Sequence, residues 1–279
     1  MVDGEADPVR STSVVTAQDA STDVGPAFSL RPGTNDEVVY NSVVTQNEYR
    51  LPDRLAPDSV VVDIGVHIGA FSYLALRRGA GSVYGFEPEA SNFTRASQNL
   101  APFGERVHLS NRAVWRSDTP ACQLHFWRSA DAANTGGGSL IWETDGPLVD
   151  ALPFDEVIDA VSESGRRRID LVKIDCEGAE FPVLLTASLL GRIDRIVGEY
   201  HELRAQLPTH VRIPGYDEFA LEGLVAGLQR AGFVVTWQQQ ATAKFGDMGL
   251  FFAQRPAVPR RGGPVAALRR WLGVPGPRR

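Results

Sequence analysis

The stretch that most constrains this chain runs from Val60 to Ser72, Val-Val-Val-Asp-Ile-Gly-Val-His-Ile-Gly-Ala-Phe-Ser. Val60 to Ile64 is a short, β-branched apolar run, the pattern of a strand buried on both faces. Asp63 interrupts it near its end, and Gly65 and Gly69 follow at once. Beyond Gly69, the apolar residues Ala70, Phe71, Leu74, Ala75 and Leu76 recur at helical spacing. Strand, glycine turn and helix start, in that order, aim backbone N–H groups at whatever lies above the strand. Gly65 permits a tight turn, and Gly69 opens the helix entrance to a ligand. The same D-x-G-x-x-x-G pattern occurs in plain β-to-α turns, so a second feature has to decide.

The next strand supplies it. Ser82 to Phe86 reads as strand and ends in Glu87-Pro88-Glu89, with Glu87 falling 24 residues after Asp63. An acid at the tip of the second strand, about 20 residues beyond a glycine loop, is placed to take both hydroxyls of a ribose. Pro88 stops the ladder and sends the chain toward a helix from Ala90. The G-x-G-x-x-G pattern of dinucleotide-dependent oxidoreductases is absent, because its later glycines would fall where His67 and Ala70 stand.

Val-Asp-Ile-Gly-x-x-Ile-Gly-x-Phe-Ser at 62–72, Phe-Glu-Pro at 86–88 and Val-Lys-Ile-Asp-Cys-Glu-Gly-Ala-Glu at 172–180 together resemble the FkbM family of S-adenosylmethionine-dependent methyltransferases, over roughly 40–254. The resemblance implies a class I methyltransferase (Rossmann-like) α/β fold: a seven-stranded, mostly parallel sheet with helices on both faces. It implies S-adenosylmethionine as cofactor and methyl transfer to a hydroxyl of a sugar or secondary metabolite, with transfer to nitrogen or carbon as the alternative on the same fold. Cofactor contacts then fall to Asp63, Gly65, His67, Gly69, Ser72, Glu87, Pro88, Asn111, Ala113 and Asp175. Gly65 and Gly69 would face the methionine part, Asp63 would orient their loop, Glu87 would hold the ribose, and Asn111 to Val114 would meet the adenine. His67 departs from the Asn usual in the family. The family's lead-in segment, here Thr34 to Leu51, folds over the cofactor, which makes Glu48 and Tyr49 lid contacts. Its acceptor loop resembles Ala133 to Ser139 in composition, so Asn134 and Ser139, with Glu177, are the expected substrate contacts.

The remaining pattern alternates as a doubly wound sheet does. Strands are expected near 60–64, 82–87, 106–110, 169–174, 194–200, 233–237 and 248–254, and helices near 69–78, 90–101, 155–164, 178–190 and 217–231. Residues 116–154 form an insertion with a strand-like Gln123 to Arg128 and three consecutive glycines at 136–138, which read as a loose loop tip. Residues 1–33, rich in Asp, Ser, Thr, Pro and Gly, read as a loose or disordered arm ahead of a domain at 34–255. Residues 256–279 carry six arginines and no acid, a basic tail.

Chemistry concentrates at two strand ends. Asp175 closes the fourth strand, and Glu177-Gly178 opens the helix after it, whose positive end favours carboxylates. The fifth strand brings Glu199 and His201, which alternation places on one face. Two readings stay open for this group. In one, His201 is the general base, held by Asp175 or Glu199. In the other, Asp175, Glu199 and His201 bind Mg²⁺ or another divalent ion that lowers the acceptor hydroxyl's pKa.

Composition narrows the partners. A net charge of −6 argues against nucleic acid, and no apolar run approaches the ~18 residues of a membrane span. No basic-then-apolar leader opens the chain, and two cysteines, Cys122 and Cys176, make neither a disulfide scaffold nor a zinc cluster. The expectation is a cytoplasmic enzyme with a small polyhydroxylated acceptor, with homo-oligomerisation left open.

Overall fold

The computed structural model describes residues 14–15, 27–141, 146–202, 213–240 and 248–256; the basic tail beyond 256 and most of the first 26 residues lie outside them. The main sheet contains β1 (Val60–Ile64), β2 (Ser82–Phe86), β3 (Val107–Ser110), β7 (Leu171–Ile174), β8 (Arg195–His201), β9 (Val234–Gln240) and β10 (Met248–Gln254). A second, three-stranded sheet is built from β4 (Ala113–Trp115), β5 (Cys122–His125) and β6 (Leu148–Pro153). The main order is β9-β10-β8-β7-β1-β2-β3. Its five-strand block from β8 to β3 is parallel, and β10 runs antiparallel between β8 and β9. This is an α/β fold with a seven-stranded, mostly parallel sheet.

The apolar run that defines β1 is buried at all five positions, as a central parallel strand requires. Alternation sends Val60, Val62 and Ile64 to one side and Val61 to the other. The first side packs α4 (Phe154–Val161), α5 (Glu180–Leu185) and α6 (Leu221–Arg230); the second packs α2 (Ala70–Arg77) and the end of α3 (Ala90–Leu100). Helices therefore cover both faces. None among the described residues is long and apolar enough to cross a membrane.

Local chemistry sets several boundaries that periodicity misses. The expected helix at 178–190 is only Glu180–Leu185: Thr186 Oγ1 turns back to Pro182 O, and Asp155 captures the backbone N–H groups of Ser188 and Leu189. The insertion is a sheet edge as well as a loop. Its strand β5 ends at His125 rather than Arg128, and β6 pairs with both β4 and β5. Residues 28–30 are anchored, although the pattern placed them in the arm. Phe28 pairs backbone with Val15 and packs against Tyr40 and Tyr73, at ring separations of 5.0 Å each. The lead-in is α1 (Asp36–Tyr40), which runs directly into a π-helical turn, Asn41–Thr45. Departures from α-helical winding of this kind recur beside functional sites.

Candidate active site

Strand order reverses at β1, whose neighbours β2 and β7 lead the chain in opposite directions, and ligands of open α/β sheets bind above that point. A cleft of about 580 Å³ opens there. Its floor is the C-terminal tips of β1, β2, β7 and β8, one wall is α1 with the turn that follows it, and the roof is the loop from Phe126 to Leu140.

At the β1–β2 end, polar groups are tied to the chain. Gly65 adopts φ +77°, and a Cβ there would lie 1.9 Å from Asp175 O, so only glycine fits where the β1 turn crosses the tip of β7. Asp63 is fully buried; its Oδ2 accepts from Ser72 Oγ at 2.6 Å, and Lys173 Nζ stands 3.4 Å from Oδ1. Glu87 lines the cleft and holds the loops around it: His67 N donates to Oε2 at 2.8 Å and Glu89 N to Oε1 at 2.9 Å. Burial pushes the Glu87 carboxyl up to about 7 against those two bonds. Pro88 and Ala113 line the cleft beside it, with Val114. Asn111 instead braces the β2 tip, donating through Nδ2 to Glu87 O and Pro88 O. Gly69, the residue before α2, faces Leu100 and Ala96 of α3, so with Asp63, Ser72 and Asn111 it supports the cleft from behind rather than lining it.

At the β7–β8 end, carboxylates crowd. Asp175, Glu177, Glu199 and Glu48 all line the cleft. Asp175 Oδ2 accepts from Tyr49 OH at 2.9 Å and lies 3.8 Å from Lys173 Nζ. Burial raises its pKa, but Lys173, His201 and the Tyr49 bond together hold it below the usual carboxylate range. Glu48 and Glu177 are pushed up to about 7 and Glu199 to about 8, in each case chiefly by burial and further by Asp175. Glu48 is presented by a turn whose flanking residues Asn47 and Arg50 are both left-handed, at φ 53° and 52°. Glu177 is itself left-handed, at φ 53°. Non-glycine residues hold that conformation only where their surroundings enforce it.

His201 sits behind Glu177 and does not line the cleft. Its Nδ1 is 3.3 Å from Glu180 Oε1 and its Nε2 is 3.7 Å from Glu177 Oε2. Burial would lower its pKa, but the two carboxylates raise it well above the ordinary histidine value. Glu180 also accepts from the backbone N–H groups of Cys176 and Gly178, which fixes the loop that carries Glu177. One ligand atom each from Asp175, Glu177 and His201 lies within 4.8 Å of the others, a grouping suited to a cation. Glu199, expected from the sequence to join Asp175 and His201, stands outside that grouping but lines the cleft with Asp175 and Glu177.

The roof is bolted down. Ser139, an expected substrate contact, is 1% exposed, donates to Glu177 O at 2.6 Å and accepts from Ile141 N at 3.1 Å. Asn134 lines the cleft, and its Oδ1 accepts from Asn35 Nδ2 and Gly137 N. The glycines at 137 and 138 serve close packing rather than freedom: a Cβ on Gly138 would lie 2.3 Å from the Phe126 ring, and one on Gly137 2.5 Å from Asn134 Nδ2.

Comparison with known proteins decides the family. The profile of the FkbM methyltransferase domain matches residues 63–235, more than half of the chain. The chain belongs to the FkbM methyltransferase family. The matched span runs from Asp63 to Val235 and so takes in both ends of the cleft. Among curated proteins, the AMB antimetabolite synthetase AmbE of Pseudomonas aeruginosa is 28% identical over 258 residues, covering 79% of this chain but only 12% of that protein. The chain therefore matches a small part of that relative's length. Among solved structures, precorrin-6y C5,15-methyltransferase from Geobacter metallireducens is 15% identical, covering 81% of this chain and 90% or more of its own (93%), at a TM-score of 0.43. Magnesium protoporphyrin IX methyltransferase from Synechocystis, solved with S-adenosylmethionine bound, is 13% identical, covering 79% of this chain and 77% of its own, at 0.38. Likeness of that order says nothing about the reaction or the acceptor of an FkbM chain.

Sequence reasoning passed over Lys173, Asn92 and Thr135. Lys173 was readable in part, since alternation puts it on the face of Asp175 two residues on. Asn92 and Thr135 meet across 43 residues, a contact no local pattern announces.

Proposed function

We propose that this chain is an S-adenosylmethionine-dependent O-methyltransferase of class I fold, acting on a hydroxyl of a small polyhydroxylated acceptor, a sugar or a secondary metabolite. The observation that carries the reading is the division of one cleft into two chemistries. At the β2 tip, a buried acid adjoins an apolar slot of Pro88, Ala113 and Val114, suited to a ribose and an adenine. At the β7–β8 tips, carboxylates gather where an acceptor's proton would be removed. The volume suits a cofactor-sized ligand. The cleft-lining side chains His67 and Asn92 keep a buried Nδ1 and a buried Oδ1 without a hydrogen-bond partner, as groups awaiting a ligand do. The antiparallel β10 between β8 and β9 agrees with a class I sheet, and the similarity to a stretch of an antimetabolite synthetase favours a secondary-metabolite acceptor.

The cofactor supplies an already activated methyl group when bound, so the chain's work is to orient, desolvate and accept a proton. Glu87 and the β1 turn orient; the roof and the α1 wall exclude water. Glu177 and Glu180 raise the His201 pKa well above the ordinary histidine value, which disfavours it as a free base and favours a carboxylate in that role. Glu199 and Glu177, with proton affinities near neutrality, match that task. A second reading rests on the grouping of Asp175, Glu177 and His201. Glu180 at Nδ1 orients the imidazole as an outer carboxylate does for a metal-bound histidine, leaving Nε2 toward the ion. The ion would lower the acceptor hydroxyl's pKa.

A screen of polyhydroxylated acceptors with methyl-labelled S-adenosylmethionine, with chelator and with Mg²⁺ or Mn²⁺ added, tests both readings. Label on a hydroxyl oxygen is expected; label only on nitrogen or carbon would overturn the oxygen specificity. Activity abolished by chelator and restored by the ion selects the metal reading. Binding of NAD with no response to S-adenosylmethionine would remove the methyltransferase assignment itself.

A further inference from the structure

The base and the tip of the roof are held by different chemistry. At the base, Trp127 and Ser139 exchange two backbone hydrogen bonds, of 2.8 and 3.0 Å, beside the buried side chains of Phe126 and Ile141. Between them, residues 128–138 carry no apolar side chain larger than alanine. The segment bonds to itself instead. Asp131 Oδ1 accepts from Ala133 N, Asp131 O from Asn134 N, and Asn134 Oδ1 from Gly137 N. Paired ends and internal bonds make it a compact unit, the form of an Ω-loop.

The bonds that tie its tip to the rest of the chain are polar and converge on Asn35. Asn35 N donates to Ala133 O at 2.8 Å and Asn35 Nδ2 to Asn134 Oδ1 at 3.1 Å, while Thr135 N donates to Asn35 Oδ1 at 3.0 Å. The Thr135 hydroxyl lies 2.8 Å from Asn35 Oδ1, 3.0 Å from Asp36 Oδ1 and 2.8 Å from His67 Nε2. Asn92 Nδ2 donates to Thr135 O at 2.9 Å, and the exposed Arg128 pairs with Glu89 at 2.8 Å. Asn134 is exposed and Asn35 half-buried, so water can take over such bonds at small net cost. Opening the base would instead bring Phe126 and Ile141 into water. Local opening favours segments with few buried apolar contacts and solvent-accessible hydrogen bonds, which describes the tip and not the base.

We propose that residues 128–138 are a flap that opens by releasing Asn35, turns on the fixed Trp127–Ser139 pair, and admits and releases the cofactor. The proposal rests on the methyltransferase reading, which puts the cofactor at the β1–β2 end. The latch lies over that end, since Thr135 meets His67 in the β1 turn and Asn92 in the first turn of α3. A closed flap slows entry by the fraction of time it stands open, and the same closure retains what is bound. The latch bonds join chain to chain, so weakening them speeds entry and exit together.

Stopped-flow binding of S-adenosylhomocysteine to the whole chain tests this. Asn35→Ala removes the side-chain bonds of the latch and should raise the association and dissociation rates about tenfold each, the equivalent of one net hydrogen bond, with Kd changed by less than about threefold. Thr135→Val should move both rates the same way by less. In the unsubstituted protein, free of any folding defect, hydrogen exchange followed by NMR should show the Asn35 and Thr135 amides opening together. Their exchange should be faster than that of the Trp127 and Ser139 amides and slowed by S-adenosylhomocysteine. A dissociation rate that rises alone would make Asn35 a ligand contact and overturn the flap. Unchanged rates, or latch amides that exchange no faster than the base, would overturn it as well. A wild type that does not bind S-adenosylhomocysteine would instead overturn the methyltransferase reading beneath it.

Discussion

The two ends of the cleft are built on opposite electrostatic plans. At the β1–β2 end each acid is answered: Glu87 by two backbone N–H groups, Asp63 by Ser72 and Lys173. At the β7–β8 end four carboxylates face the cleft, and among the described residues no hydrogen bond reaches the side chain of Glu48 or Glu199. The first end is preorganised, its acids already held by the chain. The second holds crowded charge that a proton, a cation or an acceptor must relieve. Catalytic sites concentrate such frustration where bonds change, and cofactor sites do not need it.

Lys173 is shared by both plans, and replacing it should do the most damage. Its Nζ donates to Gly65 O at 2.6 Å and stands within 4 Å of Asp63 and Asp175. Lys173→Met leaves the buried Asp63 and the half-buried Asp175 with no cation between them. Breaking a buried pair from one side costs roughly 3–5 kcal/mol, so urea unfolding should show a loss of that order. A loss below ~1 kcal/mol would mean that the two ends are electrically independent.

Confined to the crowded end, Glu199→Gln should leave S-adenosylhomocysteine affinity nearly unchanged and cut turnover by about 10²-fold or more. Comparable losses in binding and turnover would erase the division between the ends.

The same crowding predicts a pH dependence. Glu48, Glu177 and Glu199 have folded pKa values of about 7, 7 and 8, above the ordinary 4.5, so the folded state binds more protons between those limits. Stability should therefore fall as pH rises from about 5 to 8. His201, also raised, contributes in the same direction, its share being lost as pH rises through its folded pKa. Thermal melts across that range should show the decline, and Glu199→Gln should flatten it. A carboxylate base also puts the acid limb of the rate near pH 7–8, whereas a free histidine would put it near ~6.5. Rising stability toward pH 8 would show that the crowding is relieved within the chain.

The same contrast explains what the sequence announces. The preorganised end is local: β1, its glycine turn and the acid at the tip of β2 lie within 28 residues and impose their pattern on the chain. The crowded end draws on residues 48, 175–177 and 199–201, which only the sheet order brings together. Lys173 sits inside an apolar run, where a lysine ordinarily signals an exposed face; its burial becomes intelligible only once Asp63 and Asp175 flank it. Asn35 and Thr135 are 100 residues apart, and their bond follows from where the insertion lands rather than from any periodicity. Phe28 stands out little in its segment, although one aromatic side chain anchors the strand on the rings of Tyr40 and Tyr73.

Ser139 offers the smallest and most discriminating test, because residue type and placement suggest different roles. Beside glycines in an acceptor loop, its hydroxyl reads as a substrate contact. In the fold it is buried and spans from Glu177 O to Ile141 N, joining the roof to the loop that carries a cleft carboxylate. Ser139→Ala strands both backbone partners, at about 1–3 kcal/mol for buried groups left unpaired. The expected result is a lower melting temperature, with acceptor KM unchanged at temperatures where the variant is fully folded. Turnover should fall only modestly, through a looser Glu177. If acceptor KM rises several-fold while the melting temperature holds, the hydroxyl reaches the substrate, and the roof belongs to the reactive end of the cleft rather than to its frame.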